Sequence, residues 1–208
     1  KANVAELRAA IRAAGRDPAG TKLLAMYSFV TGRTREVAEA KLAELNALSR
    51  AEGYIAHNSG GGFDVSRYDS SELVADVVVR GGPGAEHMKR YPYDPGTTIG
   101  DIYRQYATID QGMPFSCGTP EEVADHIEQY VDEIGLDGFL LRQTTSPETI
   151  NDFADYIMPE LQKRGLYREE YDGESLRENI FGKGSARVNA NHAAFSYKAT
   201  AGDAQRVA

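Results

Sequence analysis

From Cys117 to Leu141 the chain reads CGTPEEVADHIEQYVDEIGLDGFLL: a turn, a capped helix, a second turn and a strand. Thr119 suits the N-cap, Pro120 the first helical position, and Glu121 and Glu122 the positive end of the helix. Thr119 and Glu122 stand at capping-box spacing. Val123, Ile127, Val131 and Ile134 recur at helical spacing, and Gly135 stops the run. Gly138-Phe139-Leu140-Leu141 then reads as a short strand buried on both faces. Ser146-Pro147-Glu148 opens a further helix with Ser146 as its cap, and Ile150, Phe153, Ile157 and Leu161 line one side. Pro159 inside that helix implies a kink or a restart. Helix, strand and helix at these lengths form the repeating unit of a parallel α/β fold.

The 208 residues are enough for one domain or a large piece of one. With 41% hydrophobic and 26% charged residues the composition is that of a globular chain. A formal charge of −8, without a Lys/Arg cluster, argues against nucleic acid as a partner. No apolar run reaches the ~20 residues of a membrane span. The single Cys117 excludes an intrachain disulfide and a cysteine-based zinc site, and implies a reducing, cytoplasmic setting. The chain opens at Lys1 within a helical pattern, as expected of a processed product or a piece of a longer protein.

Residues 1–15 form the first helix, with Val4, Leu7 and Ile11 on one side. Residues 22–30 (KLLAMYSFV) are the first strand. Thr34 caps a helix running to about Arg50, with Val37, Ala38, Leu42, Leu45 and Leu48 inward and Lys41 outward. From Gly53 the pattern breaks into glycine-rich loops; residues 73–79 fit a strand or an extended loop, and 97–108 a helix with Ile99, Ile102 and Tyr103 inward. About ninety residues separate the first strand from the Thr119 helix, against ~2–6 for an ordinary strand-to-helix connection. In parallel α/β folds such an excursion is a lid or a substrate wall. Residues 174–180 fit a short helix, and from Phe181 onward no period is visible.

Among the four histidines no pair has metal-ligand spacing, so no metal is expected. His126 falls on the solvated side of its helix, and His87 and His192 in irregular polar stretches. His57 ends a helix and opens the loop His57-Asn58-Ser59-Gly60-Gly61-Gly62. It fits either a histidine stabilised by the helix dipole or a donor to a substrate or oxygen intermediate. The glycine runs match no phosphate-binding fingerprint. Gln143, Thr144, Thr145 and Ser146 are anion donors or plain caps. Cys117 has no neighbouring base and reads as a buried thiol. Tyr91, Tyr93, Tyr103 and Tyr106 form a pocket wall or pack an irregular segment.

Several stretches together carry a family resemblance. They are GRDP (15–18), KLLAMYSFVTGRTREVAEAKLAEL, AHNSGGGFDVSRY (56–68), CGTPEEVAD (117–125), DGFLL (137–141) and PELQKRGLYREEYDGESLRENIFG (159–182). In this order they resemble the C-terminal half of the bacterial luciferase-like flavin-dependent monooxygenases. The nearest branch contains nitrilotriacetate, dibenzothiophene-sulfone and long-chain alkane monooxygenases. The resemblance implies an α/β fold, the C-terminal part of a (β/α)8 TIM barrel spanning residues 1–182, with a tail at 183–208. Residues 22–30 would be the seventh strand and 138–141 the eighth, with a long helical and irregular insertion, about 52–116, between them.

The resemblance further implies reduced FMN, supplied by a separate flavin reductase. Oxygen, activated as a flavin peroxide, would pass one atom to a small organic substrate. His57 falls where the family can place a histidine near flavin and substrate. The family's FMN-phosphate loop lies upstream of this stretch, so no cofactor-binding or catalytic residue carries over. The chain alone is expected not to bind FMN and to be inactive. Two strands cannot close a barrel, which calls for a missing N-terminal half, a second chain or a swapped partner, and for assembly as a homo-oligomer. The competing readings are a non-catalytic scaffold or oligomerisation fragment of the same fold, and an independent small α/β domain without flavin.

Overall fold

The computed structural model describes residues 2–59, 64–89, 93–188 and 192. In chain order they form α1 (Ala2–Ala13), β1 (Leu24–Thr31), α2 (Arg35–Leu48), α3 (Ala51–Ser59), α4 (Val74–Arg80), α5 (Ala85–Met88), α6 (Ile99–Tyr106) and β2 (Phe115–Gly118). They continue as α7 (Pro120–Gln129), β3 (Gly138–Leu141), α8 (Glu148–Asp152), α9 (Met158–Lys163) and α10 (Leu176–Phe181). The strands make one sheet in the order β2-β1-β3. β2 runs parallel to β1, with Ser28 opposite Phe115 and Thr31 opposite Gly118. β3 also ascends with β1: Leu23 accepts from the Asp137 amide, and Tyr27 from the Arg142 amide.

The chain divides into two units. One comprises Lys1–Ala25, His126–Phe139 and Met158–Ala208; the other comprises Met26–Asp125 and Leu140–Ile157.

In the first unit Asp137 ties three segments together. Its carboxylate accepts from the Leu23 amide at 2.7 Å and pairs with the Arg8 guanidinium. Arg8 also donates to the carbonyls of Pro18 and Thr21. Burial opposes ionisation of Asp137, but the Leu23 N–H and Arg8 outweigh it and hold the carboxyl below its ordinary range. α1 keeps its apolar side only partly covered, and Leu7 is 51% exposed. Gly135 ends the second helix in the left-handed region at φ 81°, as the stop signal requires. His126, expected on a solvated side, is half-buried with its ring edge-on to Tyr130 at 5.0 Å. The two residues stand four apart on the helix and so share one face, which sets Tyr130 against His126.

In the second unit the Thr119 cap forms as the sequence implies. Thr119 Oγ1 accepts from the Glu122 amide, and Glu122 accepts from the Thr119 amide at 2.9 Å. Glu122 also pairs with Arg35 at the start of α2. Thr34 caps α2 by accepting from the Val37 amide. The tight turn before α2 needs Gly32, because a Cβ there would lie 2.7 Å from the Ala38 nitrogen.

Six expectations change. Residues 73–79, read as strand or extended, form helix α4, because Val74 and Val77 are buried at helical spacing in a cluster with Ile55, Ile99 and Ile102. Residues 115–118, read as loop and turn, form β2, since Ser28 donates to Pro114 and draws the segment into the sheet. β3 is not buried on both faces: Leu140 is 57% exposed. On α2 the packed line runs through Ala38 and Leu42, leaving Val37 and Leu48 48% and 75% exposed. Lys41, expected outward, donates to Thr31 O and to Asp152. Ser146 caps nothing; Thr149 Oγ1 instead accepts the amides of Thr144 and Thr145. Pro159 does mark a restart: α9 begins at Met158, after the π-helical turn Phe153–Ile157.

α6 is capped by a reciprocal Thr98–Asp101 box. The Thr98 amide and hydroxyl, with Arg104, hold the Asp101 carboxyl down to about 2. Ile99 and Ile102 are fully buried, so the helix presents its opposite, polar edge and its last turn to the cavity described next.

Candidate functional site

The pleat of β1 sorts its side chains. Tyr27, Phe29 and Thr31 lie on one face, where Phe29 meets Phe153 at 6.3 Å between centroids. Met26, Ser28 and Val30 lie on the other. Met26 forms part of the wall of a cavity of about 870 Å³ in the second unit, a volume suited to a cofactor or a drug-sized molecule.

Helices α3 and α6 supply the aromatic side of this cavity. Tyr54 and Tyr106 stack with centroids 4.2 Å apart and an interplanar angle of 21°. Both rings reach the cavity, as does Tyr93. His57 lies one turn beyond Tyr54 on α3, exposed and at the cavity wall. Its position in the last turn of the helix is what the sequence implied. Gln105, Gln111 and Met113 line the far side. Gln111 adopts φ 51°, a left-handed conformation uncommon outside glycine. Gly112 follows at φ 72°, and the pair turns the chain from α6 toward β2.

Arg142 completes the wall at the end of β3. Its amide is fixed to Tyr27 O at 2.8 Å. Its Nη1 is buried and has no hydrogen-bond partner among the described residues. None of the described residues that line the cavity is a carboxylate. The site therefore combines a planar aromatic surface, a histidine in reach of solvent and a half-buried cation. It can hold a flat, electron-rich or anionic molecule and offer it a proton.

No family model matches the chain. Individual relatives do. The long-chain alkane monooxygenase of Geobacillus thermodenitrificans is 34% identical over 94% of this chain and 40% of its own length. The dimethyl-sulfide monooxygenase of Hyphomicrobium sulfonivorans is 32% identical over 93% of this chain and 40% of its own. The crystal structure of the long-chain alkane monooxygenase LadA superimposes with a TM-score of 0.78 at 34% identity, covering 94% of this chain. A riboflavin lyase solved with modified FMN and riboflavin superimposes with a TM-score of 0.81 at 30% identity, covering 95%. This chain matches the C-terminal half of the luciferase-like monooxygenase family. It spans about 40% of the length of the curated relatives it matches. Its fold is accordingly part of a TIM barrel, with a helix-rich α/β arrangement and a three-stranded parallel sheet.

The chain brings together only some of the residues singled out from sequence. His57, Tyr93 and Tyr106 meet at the cavity. Tyr103 packs behind it, its phenol pushed up by burial. Tyr91 and the glycines 60–62 lie outside the described residues. Thr144 and Thr145 spend their donors on Thr149 and Glu148, so that loop is a cap and not an anion cradle. Cys117 is half-buried, and its thiol is pushed up by burial and by Glu39, which disfavours the thiolate a nucleophile needs. Among the described residues no group of three His, Cys, Asp or Glu could hold a metal. None of the described helices is long and apolar enough to cross a membrane.

Tyr54, Gln105 and Arg142 were missed in the sequence. Tyr54 had a usable signal: it precedes His57 by three residues on one helix and so shares its face. Arg142 had only its place directly after a strand. A second, smaller cavity of about 280 Å³ near Gly32 is lined by Lys41 and Asp152, which pair with each other, Lys41 pairing with Glu148 as well.

Proposed function

We propose that this chain is the C-terminal portion of a two-component FMN-dependent monooxygenase that transfers one oxygen atom from O2 to a small organic substrate. The cavity walled by Tyr54, Tyr106, His57 and Arg142 is the observation that carries this reading. It lies beside Arg142 at the C-terminal end of β3, the end at which barrel enzymes build their sites. Stacked tyrosines suit a planar ring, and a half-buried guanidinium suits an anion, so the residues present fit a flavin. When bound, reduced FMN supplies the electrons that activate oxygen.

In this reading the segment of about 52–116 is the insertion that covers the site, and residues 183–208 form the tail. The Tyr54–Tyr106 stack excludes water from one face of the bound rings. His57, at the exposed wall, holds a proton for delivery to an oxygen atom. The half-exposed Leu24 and Met26 on β1 and Leu140 on β3 are side chains that a closed barrel buries in its filled interior. Among the described residues β3 is paired only with β1. The N-terminal half supplies the remaining strands, and a flavin reductase supplies reduced FMN.

The test is oxygenation of a short panel of organic sulfides, amines and alkanes by the whole protein under 18O2, with reductase, FMN and NADH. The reading requires product carrying one 18O atom. Reduced flavin consumed to hydrogen peroxide with every substrate, with no 18O in any product, contradicts it.

A further inference from the structure

Arg142 is out of place for an ordinary structural arginine. Arg8, Arg35 and Arg164 each pair with a carboxylate, at Asp137, Glu122 and Glu160. Arg142 has no such partner among the described residues, and its Nη1 is cut off from solvent. A buried donor on a cation that is left unpaired is strongly unfavourable, because it gives up water and receives nothing. Its backbone amide is bonded to Tyr27 O at 2.8 Å, which fixes where the side chain starts at the end of β3. On the adjacent strand Ser28 follows Tyr27, and its Oγ is likewise buried without a partner among the described residues. Arg142 thus has one buried, unpaired nitrogen and also lines a cavity whose described lining includes no carboxylate.

We propose that Arg142 is a specificity-determining residue that grips an oxyanion (carboxylate, sulfonate or phosphate) carried by the molecule in this cavity. The guanidinium fork matches two oxygens of such a group, and that pairing supplies the counter-charge that the described residues do not. Tyr54 and Tyr106 hold the flat part of the same molecule. The ligand class is an aromatic or apolar body with one anionic end. The anion belongs either to the flavin, as its phosphate, or to the substrate.

The inference rests on the cavity being the site proposed above. Equilibrium binding needs no turnover, so a protein that binds these anions and oxidises nothing contradicts the proposed reaction and leaves this assignment standing. Isothermal titration of the whole protein compares two matched pairs, FMN with riboflavin and 2-naphthoate with 2-naphthamide. The anionic member of at least one pair binds roughly 10- to 100-fold more tightly than the neutral one. R142Q brings that ratio down toward about twofold and leaves the Kd of the neutral member unchanged. R142K, which keeps the charge but not the fork, falls between and serves as the readout if R142Q does not fold. Loss in the naphthoate pair assigns the anion to the substrate, and loss in the FMN pair assigns it to the flavin. Ratios unaltered in both pairs, equal weakening of neutral and anionic members, or no binding of either anion would overturn the proposal.

Discussion

His57→Ala in the whole protein lowers kcat/KM for the oxygenation by about 10²–10⁴-fold, the span expected when a positioned proton donor is removed. His57 sits in the last turn of α3, three residues after Tyr54, so both side chains leave the helix on the same side. Tyr54 is fixed by its stack on Tyr106, and His57 inherits that fixed direction toward the cavity. Because His57 is exposed and outside the packed cluster of the unit, its loss leaves the fold intact. His57→Gln separates two roles, since it keeps a hydrogen-bond donor but cannot exchange a proton near neutrality. If His57 moves a proton, Gln is as poor as Ala and one limb of the pH–rate profile disappears. If Gln restores most of the rate, His57 only orients the bound molecule.

Ile102→Ala lowers the stability of the helical cluster by about 2–5 kcal/mol, the range for emptying a buried aliphatic position. Ile102 has no exposure, and it lies in one cluster with Ile55, Val77 and Ile99. A loss of that size is a large share of the roughly 5–15 kcal/mol that holds a domain folded. It reaches function because α6 also carries Gln105 and Tyr106 to the cavity wall. Chemical denaturation should show an earlier midpoint for the variant at an unchanged slope. A midpoint equal to that of the parent would mean that α6 does not depend on this packing.

The legible parts of the sequence were those whose physics is local. The Thr119 and Thr34 caps, the Gly135 stop and the burial of Ile99 and Ile102 each depend on residues within about one helical turn of each other, and each appears in the structure. What failed depended on distant partners. Phe115–Gly118 is too short to show a period of its own and is recognised as a strand only once β1 lies beside it. The valines of 74–79 carry a β preference that burial of Val74 and Val77 overrides. Leu140 and Leu48 read as core, yet nothing among the described residues covers them fully. The site was half-visible for the same reason. His57 and Tyr106 stood out by their setting in sequence, whereas Arg142 gains meaning only when β3 places it beside a cavity lined from residues far earlier in the chain.

The central claim is that this chain contributes a wall of the flavin site and that the wall works only in a completed barrel. Titration of FMN, followed by quenching of its fluorescence, tests this directly when carried out on the 208-residue chain by itself and on the whole protein. The account predicts saturable binding by the whole protein and none at the same concentrations by the chain by itself. Equally tight binding by the chain alone would contradict it.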